Sequence, residues 1–260
     1  MEVHHHPDLH HKKKNFKEYF LEFLMIFLAV TLGFFAEQTR EHFADKAKEK
    51  EYMREIVENL KYDTIRCSIN SQKNIQTITG LDSFRTELKN AVGGTINANR
   101  LYYFNRYTSE INRAVFNKSA ITELKNSGSL RLLEDKKIVR ELSDYYERKV
   151  TATETYLPSQ APLNVYETEF FSLLYLDDII QAYDSIQTSS YRIRYDYQNI
   201  LHHQPVLHLL DNNDIQLKRF YTAVAGFEIE LKQYNFWLLY CKTAAEKLIT
   251  DIQKEYHLEN

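Results

Sequence analysis

Four groups of residues in this chain have types and spacings that could do chemistry. "HHHPDLHH" holds His4, His5, His6, His10 and His11, five of the ten histidines. Imidazoles this dense can bind Zn²⁺, Ni²⁺ or Cu²⁺. The tail around them is short and polar, and only Asp8 adds a donor. Adventitious metal binding is the expectation, with no physiological metal and no cofactor assigned. His202, His203 and His208 cluster near Pro205, with Asp211 and Asp214 following. Ligation there would need a convergence that spacing does not supply, so they read as structural or surface residues. Cys67 and Cys241 are the only two cysteines. In an oxidising compartment they could form a disulfide closing a very large loop; otherwise they read as buried free thiols. The fourth group is centred on Glu22, an acid set in the apolar run "EYFLEFLMIFLAVTLGFFAEQ" at 18–38.

That run must be positioned by a helix. Residues 19–36 are interrupted by a single charge, Glu22. At about 1.5 Å per residue they reach roughly 27 Å, close to the ~30 Å of a hydrocarbon core. No small-residue cleavage pattern follows, and "EQTREHFADKAKEKEYMREIVENL" continues as helix. A retained signal anchor is expected rather than a cleaved signal peptide. Glu22, Met25, Ala29, Gly33 and Ala36 fall along one stripe of that helix. Ala29 and Gly33 form a small-xxx-small pair that lets another helix approach closely. The stripe reads as a helix–helix interface with Glu22 turned to protein. A snorkelling carboxylate at headgroup depth is the plain alternative, and an ion- or proton-coupled role a third. Lys12, Lys13, Lys14 and Lys17 are more tightly clustered than the basic residues after the span. The positive-inside rule then puts the amino terminus in the cytoplasm and residues 38–260 outside the inner membrane.

The 33 Lys+Arg against 36 Asp+Glu give a net charge of -3, which supplies no reason to expect a nucleic-acid partner. Only six glycines and four prolines in 260 residues favour long helices over a turn-rich sheet protein. Beyond the span, Tyr52, Ile56, Leu60, Asp63/Thr64 and Cys67 recur at helical intervals, with Met53, Val57 and Ile65 as a second row. Gly93–Gly94 predicts a loop, and residues 101–116 read as partly irregular. Ser119 is placed to cap one helix and Gly128 to end it. Asp135 begins the next, whose apolar face includes Leu130, Leu133, Ile138, Leu142 and Tyr145. The last helix runs from Asp214 to about Tyr256 on Ile215, Phe220, Phe227, Leu231, Tyr234, Leu238, Cys241, Ala245, Leu248 and Ile252. It is a candidate to pair with the helix that follows the span. "FWLLYC" within it is aromatic and apolar but too short to span, which leaves membrane-surface contact open.

"EFLMIFLAVTLGFFAEQ" resembles the "E-x-x-x-V-x-x-G-x-x-x-A" span of a family of uncharacterised single-span inner-membrane proteins of Bacteroidota, a domain of unknown function. The glutamate falls on Glu22, the family glycine on Ala29 and the family alanine on Gly33. "ITELKNSGSLRLLEDKKIVRELSDYY" is similar to that family's "ELKSSG" stretch, through Glu123, Leu124, Lys125, Ser127, Gly128, Leu130 and the Tyr145–Tyr146 pair. The resemblance covers about half the chain in patches and leaves out the histidine-rich start. It implies a single-span helical protein with a periplasmic domain, and no activity.

The expected fold is all-α: a single amino-terminal transmembrane helix continuing into a long stalk helix, with an exterior helical bundle. The organisation is a polar tail at 1–17, a span at 18–37, a stalk at 38–78, helical domain at 79–157, a linker at 158–163 and a second helical part at 164–260. The function expected is a membrane-anchored scaffold or accessory subunit, with the lipid bilayer and a second copy or another membrane protein as partners. An envelope sensor or regulator is the main rival; an envelope enzyme and an ion-conducting oligomer rank below it. No nucleotide-binding, metalloprotease or hydrolase motif names a catalytic residue.

Overall fold

A computed structural model describes residues 15–92, 94, 97–156, 158, 164, 202 and 214–259. The histidines His4, His5, His6, His10 and His11 lie outside these residues. So do His203, His208, Asp211 and Pro205, most of the linker at 158–163, and nearly all of 164–213 in the expected second helical part. Among the described residues every regular element is helical, so the fold is all-α. The chain divides into two compact units, Met1–Tyr52 and Met53–Asn260.

The first element, α1, is a single helix over Phe16–Ala91. In the unit Met1–Tyr52 it carries the apolar run, and its large side chains there are bare. Leu28 is 47% exposed and Met25 73%; among the large apolar side chains from Tyr19 to Phe35 Leu24 alone is less exposed, at an intermediate level. None of the apolar window is buried within the protein. The helix is long and apolar enough to cross a membrane.

In the unit Met53–Asn260 the same helix buries a stripe. Met53, Ile56, Leu60, Asp63, Cys67, Asn70, Asn74, Thr77, Leu81, Phe84, Leu88 and Ala91 are all buried, at alternating steps of three and four. That spacing keeps one seam of a helix against its neighbours. Ile65, expected in the second apolar row, is instead 59% exposed. The helix does not stop at the expected stalk boundary of 78. It passes through Gly80 and ends at Ala91, just before Gly93–Gly94.

Helix α2 (Ala98–Asn105) is capped by Asn97, whose side chain accepts from the Arg100 amide, and runs into a 3₁₀ turn at Arg106–Ser109. Residues 110–118 have no regular structure. Helix α3 (Ser119–Asn126) starts from Lys118, not from a Ser119 cap; the Ser119 amide is instead taken by Asn117 Oδ1 at 3.1 Å. Gly128 adopts φ 66°, the left-handed conformation expected of it, and leads into a 3₁₀ turn at Ser129–Leu132. Asp135 caps α4 (Lys136–Ser143) by accepting from the amides of Lys137 at 2.6 Å and Ile138 at 3.1 Å.

Helix α4 opens into a π-helical turn at Asp144–Val150 and closes again as α5 (Thr151–Thr155). The wider turn lets two consecutive tyrosines, Tyr145 and Tyr146, both face the core, with ring centroids 4.9 Å apart and nearly perpendicular. The last helix, α6 (Asp214–Glu255), buries Leu217, Phe220, Val224, Phe227, Leu231, Tyr234, Leu238, Cys241, Ala245, Leu248 and Ile252. Ile215, expected on this face, is 63% exposed, and Leu217 takes the first inward position.

Within Met53–Asn260, α6 runs antiparallel to α1. Phe84 meets Phe220 edge-on at 5.7 Å, while the earlier Cys67 lies close enough to the later Cys241 for the two thiols to interact electrostatically. The rod α4–α5 is also antiparallel to α6: Thr153 meets Cys241 at 3.1 Å, and Lys247 reaches back to Glu141 at 2.9 Å.

Candidate functional site

The polar part of the α1 stripe, with Asn59 beside it, is the part that composition does not explain. Asn59, Asp63, Asn70, Asn74 and Thr77 are each at most 8% exposed. Buried polar side chains must be hydrogen-bonded, and so must buried backbone. Residues 110–118 supply that backbone, because no helix or sheet pairs its amides and carbonyls.

Asn74 grips Asn112 twice. Its Nδ2 donates to the Asn112 carbonyl at 3.1 Å, and its Oδ1 accepts from the Asn112 amide at 2.9 Å. Asn70 Nδ2 donates to the Arg113 carbonyl at 2.9 Å. The Ala114 amide donates to the Tyr234 hydroxyl of α6 at 3.0 Å. The Asn117 amide donates to Asp63 Oδ1 at 2.8 Å. Asn117 Nδ2 donates to Asn59 Oδ1 at 2.8 Å, and Asn59 Nδ2 donates to Ser119 Oγ at 3.1 Å. One face of α1 thus serves as the hydrogen-bonding partner of an irregular segment.

Asp63 is the ionisable member. It is 1% exposed, and Tyr145 OH donates to its Oδ2 at 3.0 Å. Burial pushes its carboxyl up from 3.8 to about 6, against the pull of the Asn117 and Tyr145 hydrogen bonds. The same burial pushes the Tyr145 and Tyr146 hydroxyls upward, Cys67 up to about 12 and Cys241 up to about 11. Thiols held so firmly protonated are poor nucleophiles. Both cysteines are free, so the disulfide considered between Cys67 and Cys241 is not formed in the structure. Cys241 instead shares a hydrogen with Thr153.

A second buried carboxylate, Glu228 of α6, is 3% exposed. Arg85 Nε of α1 lies 2.6 Å from it and Lys232 Nζ 2.5 Å. Arg106 lies between the rings of Tyr103 and Tyr107, 4.3 and 4.5 Å from their centroids, and donates to both hydroxyls. The first ties α1 to α6; the second braces the end of α2 against the turn that follows it. Among the described residues no group of three or more His, Cys, Asp or Glu is placed to hold a metal ion. His202 is an exposed turn residue, and Asp214 opens α6.

The five residues of the span stripe are placed as α1 dictates. Glu22, Met25, Ala29, Gly33 and Ala36 are all exposed, and a methyl group added at Gly33 would meet nothing within 4 Å. The buried stripe at 59–77 was missed as a site. Its signal was present in the sequence as asparagines and an aspartate spaced by four and seven inside an otherwise apolar repeat. No protein-family model matches the chain, and no curated protein or solved structure is similar to it.

Proposed function

We propose that the chain is a membrane-anchored helical scaffold or accessory subunit of a bacterial envelope, of the single-span kind that the sequence resembles. The observation that carries this reading is the bare apolar run of α1. A surface on which every large apolar side chain from Tyr19 to Phe35 except Leu24 is close to half exposed or more is costly in water at roughly 25 cal/mol per Å². Lipid removes that cost, and a helix satisfies its own backbone there. In this reading the amino terminus is cytoplasmic and the helical unit Met53–Asn260 periplasmic. Glu22, Met25, Ala29, Gly33 and Ala36 form the face toward a second copy or a membrane-protein partner.

The structural use of the Asp63 cluster supports a binding role over catalysis. Asp63, Tyr145, Cys67 and Cys241 are spent on holding the core and residues 110–118. Two measurements test the proposal. Alkaline carbonate washing should leave the chain in the membrane pellet; release would remove the anchor. The mass of the detergent-solubilised particle should fall in Gly33→Leu if the small-residue face assembles. An unchanged mass would sink the interface.

A further inference from the structure

The π-helical turn does more than turn Tyr145 and Tyr146 inward. On its outer side it brings Arg148 and Lys149 to the edge of a cavity of about 340 Å³. The floor is α6: Phe236, Trp237 and Tyr240, with Ala152 of α5 closing one side. The rings are ordered against each other. Phe236 and Tyr240 are 6.3 Å apart and 8° from parallel, while Trp237 is edge-on to both at 5.9 and 5.8 Å. Phe236 remains 57% exposed and Tyr240 40%. These are the aromatics of "FWLLYC", and Trp237 between them is half-buried.

Charge at the rim is one-sided. Among the described residues no acid lines the cavity, and its two cations are held by one carboxylate. Asp144 Oδ1 lies 3.0 Å from Arg148 Nε, and Asp144 Oδ2 pairs with Lys149. Two cations on one acid leave a net positive charge. Lys149 Nζ also sits 5.5 Å above the Tyr240 ring, which places it directly over the aromatic floor. A volume in the range of small-molecule sites, a mainly apolar lining and a few placed polar groups are what such sites share. π-Turns inside α-helices recur at functional positions.

We propose that this cavity binds a small aromatic carboxylate: a flat ring laid on Phe236, Trp237 and Tyr240, its anion taken by Arg148 and Lys149. The site stands independently of the anchoring reading. Trp237 is the only tryptophan in the chain, so it reports on the site alone. The full chain, carrying 5-fluorotryptophan in neutral detergent, gives one ¹⁹F resonance to follow during titration. 2-Naphthoate should shift it saturably, at least tenfold more tightly than the uncharged 2-naphthamide. Octanoate, an acyl carboxylate of similar charge, should bind more weakly than naphthoate. Arg148→Gln, at a solvent-exposed side chain, should weaken naphthoate about fivefold by loss of a charge-assisted hydrogen bond. Asp144→Asn should strengthen it several-fold, because both cations lose their competing partner. Equal binding of naphthoate and naphthamide would overturn the anion claim. Tighter octanoate than naphthoate would overturn the aromatic class in favour of a lipid acyl chain. Weakening by Asp144→Asn would show that the ion pairs only hold the turn.

Discussion

Between Tyr19 and Phe35, α1 leaves phenylalanines, leucines and an isoleucine about half exposed or more; between Asn59 and Thr77 it buries three asparagines, an aspartate and a threonine. The two stretches invert the ordinary sorting of side chains, and in opposite directions. What decides each is the surroundings the helix must satisfy. In the first, nothing among the described residues buries the apolar window, and the composition suits hydrocarbon. In the second, the neighbour is a segment without secondary structure, and only polar side chains can pair its amides and carbonyls. Burial in this protein follows the partner rather than the residue class.

The sharpest way to test the polar stretch is through Asp63, its one titrating member. In the folded protein its carboxyl holds a proton up to about pH 6, whereas an ordinary aspartate loses it at 3.8. Between those values the folded state binds more protons than the unfolded chain, so stability falls as pH rises through the window. A shift of that size corresponds to about 3 kcal/mol at 1.36 kcal/mol per unit. Urea unfolding of the full chain in neutral detergent, followed by Trp237 fluorescence between pH 4 and 7, should show that fall. In Asp63→Asn the part of the fall belonging to this group should vanish. A wild-type profile that rises over the same window would mean the carboxylate is stabilised by its hydrogen bonds rather than penalised by burial.

The next effect separates the two stretches directly. Asn74→Ala removes both hydrogen bonds to Asn112, at roughly 1 kcal/mol net for each, and should destabilise Met53–Asn260 by about 2 kcal/mol. Leu28→Ala, on the bare run, should change the same unfolding transition by less than about 0.5 kcal/mol. Equal effects would erase the contrast.

Much of this was legible in the sequence. The helical class, the apolar run, the α6 face, the Asp135 cap and the left-handed Gly128 all follow from local rules of period and cap chemistry. What was not legible is non-local. The reason for a glycine at position 80 depends on the ring of Tyr107, 27 positions away. Ser119 looked like a cap because its hydroxyl partner, Asn59, sits 60 residues earlier. Cys67 and Cys241 were recognisable as a possible pair, but the Thr153 hydrogen bond that occupies Cys241 belongs to a third element. The cavity at Arg148 and Lys149 depends on a π-turn, for which single-sequence periodicity has no signature.

The smallest effect compares two glycines of one helix. A Cβ at Gly33 would meet nothing within 4 Å, whereas at Gly80 it would fall inside the ring of Tyr107. Glycine costs a helix about 1 kcal/mol relative to alanine, so each needs a reason to be there. At Gly80 the reason is in the structure: the Tyr107 ring, held by Arg106, rests on the backbone of α1. Gly80→Ala gains the helix preference but must displace that ring, an overpacking cost of about 1–3 kcal/mol. The balance should be destabilising by about 1 kcal/mol in the same fluorescence-detected unfolding. At Gly33 the protein itself supplies no such reason. Gly33→Ala should leave the unfolding of Met53–Asn260 unchanged, so a loss of particle mass in detergent would locate its reason in a second helix. If Gly80→Ala instead stabilises, Tyr107 moves aside freely, and close contact with α1 is not what keeps glycine at position 80.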